Sequence, residues 1–332
     1  MSADTNTTRH SSRDDGGNYR AKPVEIPPLY AWPPRPLAAL KYLLVDMLFP
    51  WGYAFLLLAF PTWWFLTPEL SNMATFEPGW IGLIWLRNCV FLCALAGFLH
   101  WHLHGAAKQG KTYQLNRRTL GGQQKLFLWN NQTRDNMFWS IASGVTVWTG
   151  FEAITFWVYA SGRQVVIADN PGYFVITFYL LFLWSTTNFY LVHRFLHWQP
   201  VYRRVHELHH RNVNVGPWSG ISMHPIEHLL YFTPFVLWWF IPVHPVIIVL
   251  TGFYQGLNPA LSHAGFDYVQ LGSRWRLKTG DLFHTLHHQY FDLNYGNSPT
   301  PYDKLFGSWC SGSDESVRAQ LERRRMQRTS PN

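Results

Sequence analysis

Four long apolar stretches are the feature that most restricts the possible folds of this chain. A helix needs about 20 apolar residues to cross the hydrocarbon core of a bilayer. The stretches 47–66 and 173–192 contain no charged residue, whereas 80–103 contains Arg87 and 137–160 contains Glu152. The sequence therefore predicts a helical membrane protein, in which we expect Glu152 to extend toward the membrane interface.

A fifth apolar stretch, 229–255, is interrupted by Pro242, His244 and Pro245. Each half spans roughly 20 Å as a helix, which is short of the ~30 Å hydrocarbon core. We expect a helical hairpin that enters the membrane and returns to the same face. The predicted fold class is all-α: about four transmembrane helices, a re-entrant helical hairpin and a cytoplasmic helical cap that carries the histidine clusters.

The composition agrees with a membrane protein. Only 14% of the 332 residues are charged, against about a quarter in soluble domains, and 18 are Trp, a residue that concentrates at membrane interfaces. The three cysteines form no CxxC pair, so neither a disulfide framework nor a cysteine zinc site is indicated. We predict a disordered polar, Pro-rich arm over 1–38, a membrane-embedded domain over 39–310 and a basic tail over 311–332.

The distribution of positive charge predicts the orientation. The loop 104–136 contains six Lys and Arg residues, whereas the loop 67–79 contains none. Short loops rich in Lys and Arg stay on the cytoplasmic side, so both termini are predicted to be cytoplasmic. The expected location is the endoplasmic reticulum in a eukaryote or the inner membrane in a bacterium. The net charge of +8 comes with no basic recognition helix, so nucleic acid is not an expected partner.

Most of the 16 histidines lie in short clusters between 193 and 288. Residues three or four apart share one face of a helix, so each of the three main clusters is predicted to present its imidazoles together, as a metal ion requires. Two further segments, HPIEH at 224–228 and the lone histidine of LSHAGF, add candidates. The candidate metal ligands are His193, His197, His206, His209, His210, His224, His228, His263, His284, His287 and His288.

So many histidines exceed the needs of one metal ion, and two ions are the economical number. Imidazole binds Zn, Cu, Fe and Ni alike, so the ligand type does not select the metal. Two alternatives stay open at this point. HELHH contains the HExxH pattern of zinc hydrolases, with Glu207 as the general base. A non-catalytic metal or haem protein is the other.

The order of the clusters resembles a known family. HRFLH, HELHH and HTLHH, with FDLNYG after the last, are similar to the histidine boxes of the fatty acid hydroxylase/sterol desaturase superfamily, whose members are integral-membrane non-haem di-iron enzymes. The resemblance covers 193–307, and the segment 131–157 is similar to the sterol-desaturase-like branch. His228 departs from the pattern of that branch, and we expect at least one of His224 and His228 to bind metal.

The resemblance implies an oxidoreductase that uses O₂ at two Fe ions to hydroxylate or desaturate a C–H site of a lipid, of sterol or fatty-acyl type. Electrons would come from an external donor such as a cytochrome b5- or ferredoxin-type carrier. Polar residues beside the clusters could hold the N–H groups of the ligands. These candidates are Glu207, Glu227, Asp281, Asp292 and Asn294.

Overall fold

The computed structural model describes residues 19–116, 118, 120, 125–162, 170–297 and 300–329. Helices dominate this part of the chain, and most of them are joined by short connections. In chain order they are α1 (Pro36–Lys41), α2 (Trp51–Leu66), α3 (Pro78–His100), α4 (Gln132–Trp139), α5 (Thr146–Ala160), α6 (Pro171–Leu196), α7 (Gln199–Val201), α8 (Glu207–His210), α9 (Pro225–Tyr231), α10 (Pro245–Gly256), α11 (Asn258–Ser262), α12 (Leu282–Tyr290), α13 (Tyr302–Leu305) and α14 (Asp314–Thr329).

Three continuous helical segments of the described chain are long and apolar enough to cross a membrane: Pro78–Gly105, Gln132–Ala160 and Pro171–Leu196. A fourth crossing is possible if Pro36–Asp46 and Trp51–Leu66, which meet at 47°, form one bent span. The bend lies where Pro50 interrupts the helix, because proline lacks the N–H that a continuing helix needs. The protein is thus an integral membrane protein with three or four candidate spans.

The broken apolar stretch is the most deeply buried part of the fold. Its second half forms α10, whose residues are nearly all buried against α2, α5 and α6. Its first half is not one helix, since α9 gives way to a 3₁₀ helix at Thr233–Trp239. Proline at position 234 disfavours a continuous α-helix here, because its ring occupies the space of the preceding turn.

Two glycines allow α10 to pack closely on α5. A Cβ atom at Gly252 or Gly256 would overlap the indole ring of Trp148, which is itself fully buried. The absence of a side chain at these two positions therefore brings the helices together around the largest residue of the core.

A two-stranded antiparallel sheet departs from the all-α prediction. Strand β1 (Tyr268–Leu271) pairs with β2 (Trp275–Lys278) through a three-residue connection that begins with Gly272 at a positive φ of 65°. Three-residue hairpin connections commonly need such a left-handed residue. The hairpin is short and lies between the elements that carry His263 and His284, so it joins them without altering the helical architecture.

The buried pair of Arg87 and Glu152 corrects the expectation that Glu152 extends to the interface. The two side chains form an ion pair between α3 and α5, and Asn88 Nδ2 donates to Glu152 Oε2 at 3.0 Å. Arg87 also donates to Thr67 Oγ1 at 2.8 Å. A charge inside an apolar medium is retained when it is paired and hydrogen-bonded, and this pairing joins residues far apart in the sequence.

Both ends of the described chain contact the same region. Of the predicted arm, residues 1–18 lie outside the described residues. Val24 N–H donates to the Ser311 carbonyl at 2.8 Å, and Arg20 pairs with Asp314 at 2.5 Å, where α14 begins. Tyr19 donates to Asp267 at 2.5 Å. The segments that flank the predicted membrane domain are thus in contact with each other.

Candidate metal centre

The first histidine pair lies where α6 ends. His193 is in the last turn of α6, and His197 follows directly as its C-cap. His193 Nδ1–H donates to the Tyr295 carbonyl at 2.6 Å, which fixes the ring and leaves Nε2 as an acceptor. The helix therefore delivers two imidazoles from its end, one of them held by the chain that follows the third cluster.

The second cluster follows a short π-helical turn, Tyr202–His206, and continues into α8. His206 Nδ1–H donates to Glu227 Oε1 at 2.7 Å, and His209 Nδ1–H donates to the Ser222 carbonyl at 3.3 Å. Both rings are oriented by groups that follow them in the chain, and each presents its Nε2 to the interior.

The third cluster lies on α12. Asp281 caps the start of this helix by accepting from the Phe283 N–H at 2.9 Å. His287 Nδ1–H donates to the Leu293 carbonyl at 2.6 Å, in the turn just after the helix. His263, the C-cap of α11, donates from Nδ1 to the Pro259 carbonyl at 2.9 Å and faces His284 and His288.

Nine of the predicted histidines come together in two groups, in each of which the ligand atoms lie within 4.8 Å of one another. Group 1 is His193, His197, His206, His210 and His287. Group 2 is His209, His263, His284 and His288.

The groups do not follow the sequence clusters, which corrects the expectation that each cluster faces one way. His209 and His210 belong to different groups, as do His287 and His288. Neighbouring residues on a helix point about 100° apart, because one turn takes 3.6 residues. Each pair of adjacent histidines therefore supplies one ligand to each group, and each group takes ligands from several elements.

The contacts inside group 1 place two imidazole nitrogens close together. His193 and His206 each use Nδ1–H as a donor, so each neutral ring has only a lone pair on Nε2. The two Nε2 atoms nevertheless lie 3.0 Å apart. Two lone pairs repel at this distance, whereas two ligands about 2.1 Å from one metal ion at a right angle are separated by about 3.0 Å. The residues present thus fit a metal ion.

Group 2 has similar spacing. His263 Nε2 lies 3.1 Å from His284 Nε2 and 3.2 Å from His288 Nε2. Group 2 therefore offers a second set of nitrogen ligands at metal-binding distances, beside the first.

Burial keeps these rings neutral, which is the form that binds metal. It lowers the pKa of His209 to about 4 and moves the pKa values of His206 and His288 well below that of an ordinary histidine, with further repulsion from neighbouring imidazoles at His206 and His288. Burial also raises the pKa of Glu227, the carboxyl that contacts His206.

The predicted supporting polar residues occupy four kinds of position. Glu227 alone among them accepts from a histidine of the groups, while Glu207 and Asp292 are exposed on the surface. Asp281 caps α12. Asn294 holds the loop after α12 instead of a histidine: its side chain donates to the Phe283 and Cys310 carbonyls at 3.1 and 3.0 Å.

Two predicted ligands lie outside both groups. His224 is the N-cap of α9, and its Nδ1 accepts from the Ile226 N–H at 3.2 Å. His228 is buried between Ser143 Oγ, 2.8 Å from its Nδ1, and the Ile221 carbonyl, 3.0 Å from its Nε2. Both nitrogens of His228 thus have partners, so the expectation that one of the two binds metal gains no geometric support.

Sequence reasoning missed the backbone groups that orient the ligands. The carbonyls of Ser222, Pro259, Leu293 and Tyr295 accept from four ligand rings. Every residue has a backbone carbonyl, so the sequence does not indicate which carbonyls accept these hydrogen bonds. The only hint was the polar turn after the third cluster, which supplies two of the four.

A cavity of about 1260 Å³, including its open mouth, reaches both groups. The bend at 47–52 forms one wall, and α6 forms another. Leu48 and Phe182 line part of the cavity, and the Phe189 ring packs against His193, with ring centroids 4.9 Å apart. This arrangement suits an apolar ligand that presents one end to the metal groups.

These features define a class: a helical membrane protein with a buried, all-histidine candidate centre for two metal ions. Residues 178–308 match the family model described as fatty acid hydroxylase. This segment, which contains the nine clustered histidines, is thus similar to the fatty acid hydroxylase family.

Two of the curated relatives that match the chain are sterol desaturases. The Delta(7)-sterol 5(6)-desaturase of Eremothecium gossypii is 32% identical over 155 residues, which are 46% of this chain and 43% of that protein. The Delta(7)-sterol 5(6)-desaturase of Saccharomyces cerevisiae is 31% identical over 136 residues, 41% of this chain and 36% of that protein. The chain thus spans less than half the length of these relatives. No solved structure matches the chain.

Proposed function

We propose that the protein is a membrane-bound oxidoreductase that uses O₂ to hydroxylate or desaturate a C–H site of a lipid, with two Fe ions held by groups 1 and 2. The observation that carries the proposal is the 3.0 Å approach of two lone-pair nitrogens, His193 Nε2 and His206 Nε2. Iron bound there would supply the redox chemistry that couples O₂ to C–H oxidation. The family match of the same segment supports iron over other imidazole-binding metals.

The chain itself supplies orientation and exclusion of water. Glu227 holds His206 in one orientation through the contact between Glu227 Oε1 and His206 Nδ1, which directs Nε2 toward the metal site. The buried carbonyl acceptors do the same for His193 and His287. The apolar cavity walls bring a lipid to the ligands and limit the access of water.

We propose a sterol or related lipid as the substrate. The relatives are named for sterol desaturation, and apolar side chains such as Leu48 and Phe182 line part of the cavity. The bend at 47–52 gives a lipid a route into the cavity from the bilayer. Electrons would come from an external cytochrome b5- or ferredoxin-type carrier on the cytoplasmic side. The positive charge of the loop 104–136 supports a cytoplasmic position for the histidine-bearing elements.

The position of Glu207 argues against the zinc hydrolase alternative, in which this carboxylate is the general base. Glu207 is exposed, while His206 and His210 lie in the buried group 1 with three further histidines. A carboxylate directed to solvent does not reach a water bound between these rings.

The test is a comparison of lipids from cells that express the wild-type chain, the His287→Ala variant or no chain. We expect one lipid class to gain an oxygen atom or lose two hydrogen atoms in wild-type cells only. His104→Ala is a matched control, because His104 is bonded to the Ala264 carbonyl at 2.9 Å and lies outside both groups. Unchanged lipids under aerobic conditions, with both irons bound and a donor present, would contradict the proposal.

A further inference from the structure

Ser185, in the middle of α6, differs from the other hydroxyl residues of that helix. Thr177, Thr186 and Thr187 each donate to the carbonyl four residues earlier, at 3.0, 2.9 and 2.8 Å. Ser185 Oγ is buried, with 1% of the residue exposed, and has no hydrogen-bond partner among the described residues. A buried hydroxyl without a partner is energetically unfavourable. Ser185 does not donate to the carbonyl four residues earlier, as the three threonines do.

The Ser185 side chain lies on the wall of the cavity that leads to the metal groups. Phe182 and Phe189, one turn to either side on α6, line the same cavity, and so does His193. Ser185 precedes His193 by eight residues, or about 12 Å along the helix axis. Glu227 Oε2 and His284 Nδ1 also lack partners on this wall, but both belong to side chains at the metal groups. Ser185 is thus a polar point within the apolar part of the cavity.

We infer that Ser185 is a specificity-determining residue that forms a hydrogen bond with a hydroxyl or carbonyl group of the substrate lipid. The inference rests on the proposed function, because it takes the cavity as the substrate site. The substrate would be a lipid with a hydroxyl or carbonyl group that reaches the part of the cavity lined by Ser185. A pocket that holds a buried hydrogen-bonding group discriminates against analogues that lack the matching atom.

A binding measurement on the full chain, loaded with iron in lipid nanodiscs and kept free of O₂, tests the inference. The probes are 5α-cholestan-3β-ol and 5α-cholestane, which differ only in the hydroxyl. We expect the wild-type chain to bind the alcohol about tenfold more tightly. Ser185→Ala should abolish this preference, whereas Thr186→Val should keep it, because the Thr186 hydroxyl is satisfied by its own helix.

Equal binding of the two probes by the wild-type chain, no binding of either, or a preference that survives in Ser185→Ala would overturn the inference. Iron content and thermal unfolding of the variants establish that they are folded. Because binding is measured without O₂, selective binding without oxidation counts against the proposed function alone.

Discussion

Glu227 is the carboxyl through which we expect the metal affinity to be tuned. Its Oε1 contacts His206 Nδ1, so Glu227→Ala removes the group that orients that ligand. Loss of such a partner typically weakens metal binding 10- to 100-fold, and we predict a loss of this size in a chelator competition assay. Glu227→Gln keeps an acceptor, so its metal affinity should lie between those of the wild-type chain and Glu227→Ala.

Glu207→Gln is the matched control for this change, since Glu207 is exposed two positions before His209. It should leave both affinity and oxidation unchanged. A large loss of activity in Glu207→Gln with Glu227→Ala unaffected would favour the hydrolase arrangement.

His287 and His228 are both buried histidines with different expected roles. His287→Ala should lower the iron content, because its Nε2 faces His197 and His210 at 3.1 Å. His228→Ala should keep the iron but destabilise the fold by about 2 kcal/mol, since it leaves Ser143 and the Ile221 carbonyl without a partner. Iron analysis and thermal unfolding separate the two effects, and loss of iron in a folded His228→Ala chain would contradict this assignment.

At the residue level, spacing predicted the histidines well but not their partners. The i, i+4 rule places His193 with His197 and His284 with His288, as the structure has them. It could not divide His209 from His210 between two groups, because that division depends on which elements pack on either side. His228 has suitable spacing, but its ring nitrogens contact Ser143 of another helix and the Ile221 carbonyl. No local pattern predicts these contacts.

At the level of elements, the packing of α10 on α5 depends on glycine. Gly252→Ala would place a methyl group in the ring of Trp148, and overpacking of this kind costs about 1–3 kcal/mol. We predict a corresponding decrease in thermal stability. Gly150→Ala on α5 is the control, because nothing lies within 4 Å of its added Cβ atom. Equal stability of the two variants would contradict the packing described here.

The helices themselves followed from hydrophobicity, whereas their irregularities did not. The apolar stretches 80–103, 137–160 and 173–192 all lie within the helices that are candidate membrane spans. The 3₁₀ segment Thr233–Trp239 and the pair of strands depend on tertiary contacts, which outweigh weak local propensities. The Arg87 and Glu152 pair shows the same limit, since each charge was visible in the sequence but their contact was not.

At the level of the whole molecule, the orientation in the membrane is a prediction from charge. In a chain with its cysteines replaced by serine, we expect Lys111→Cys to be protected from a membrane-impermeant thiol reagent in intact cells. Ser71→Cys, in the loop without Lys or Arg, should be labelled. The reversed pattern would place the histidine-bearing elements on the other face, away from a cytoplasmic electron donor.

Metal analysis of the purified, active chain tests whether the nine histidines of groups 1 and 2 hold two irons for O₂-dependent lipid oxidation. We predict about two Fe per chain, with a marked loss in His287→Ala. One Zn per chain, accompanied by lipid turnover that continues without O₂, would contradict it.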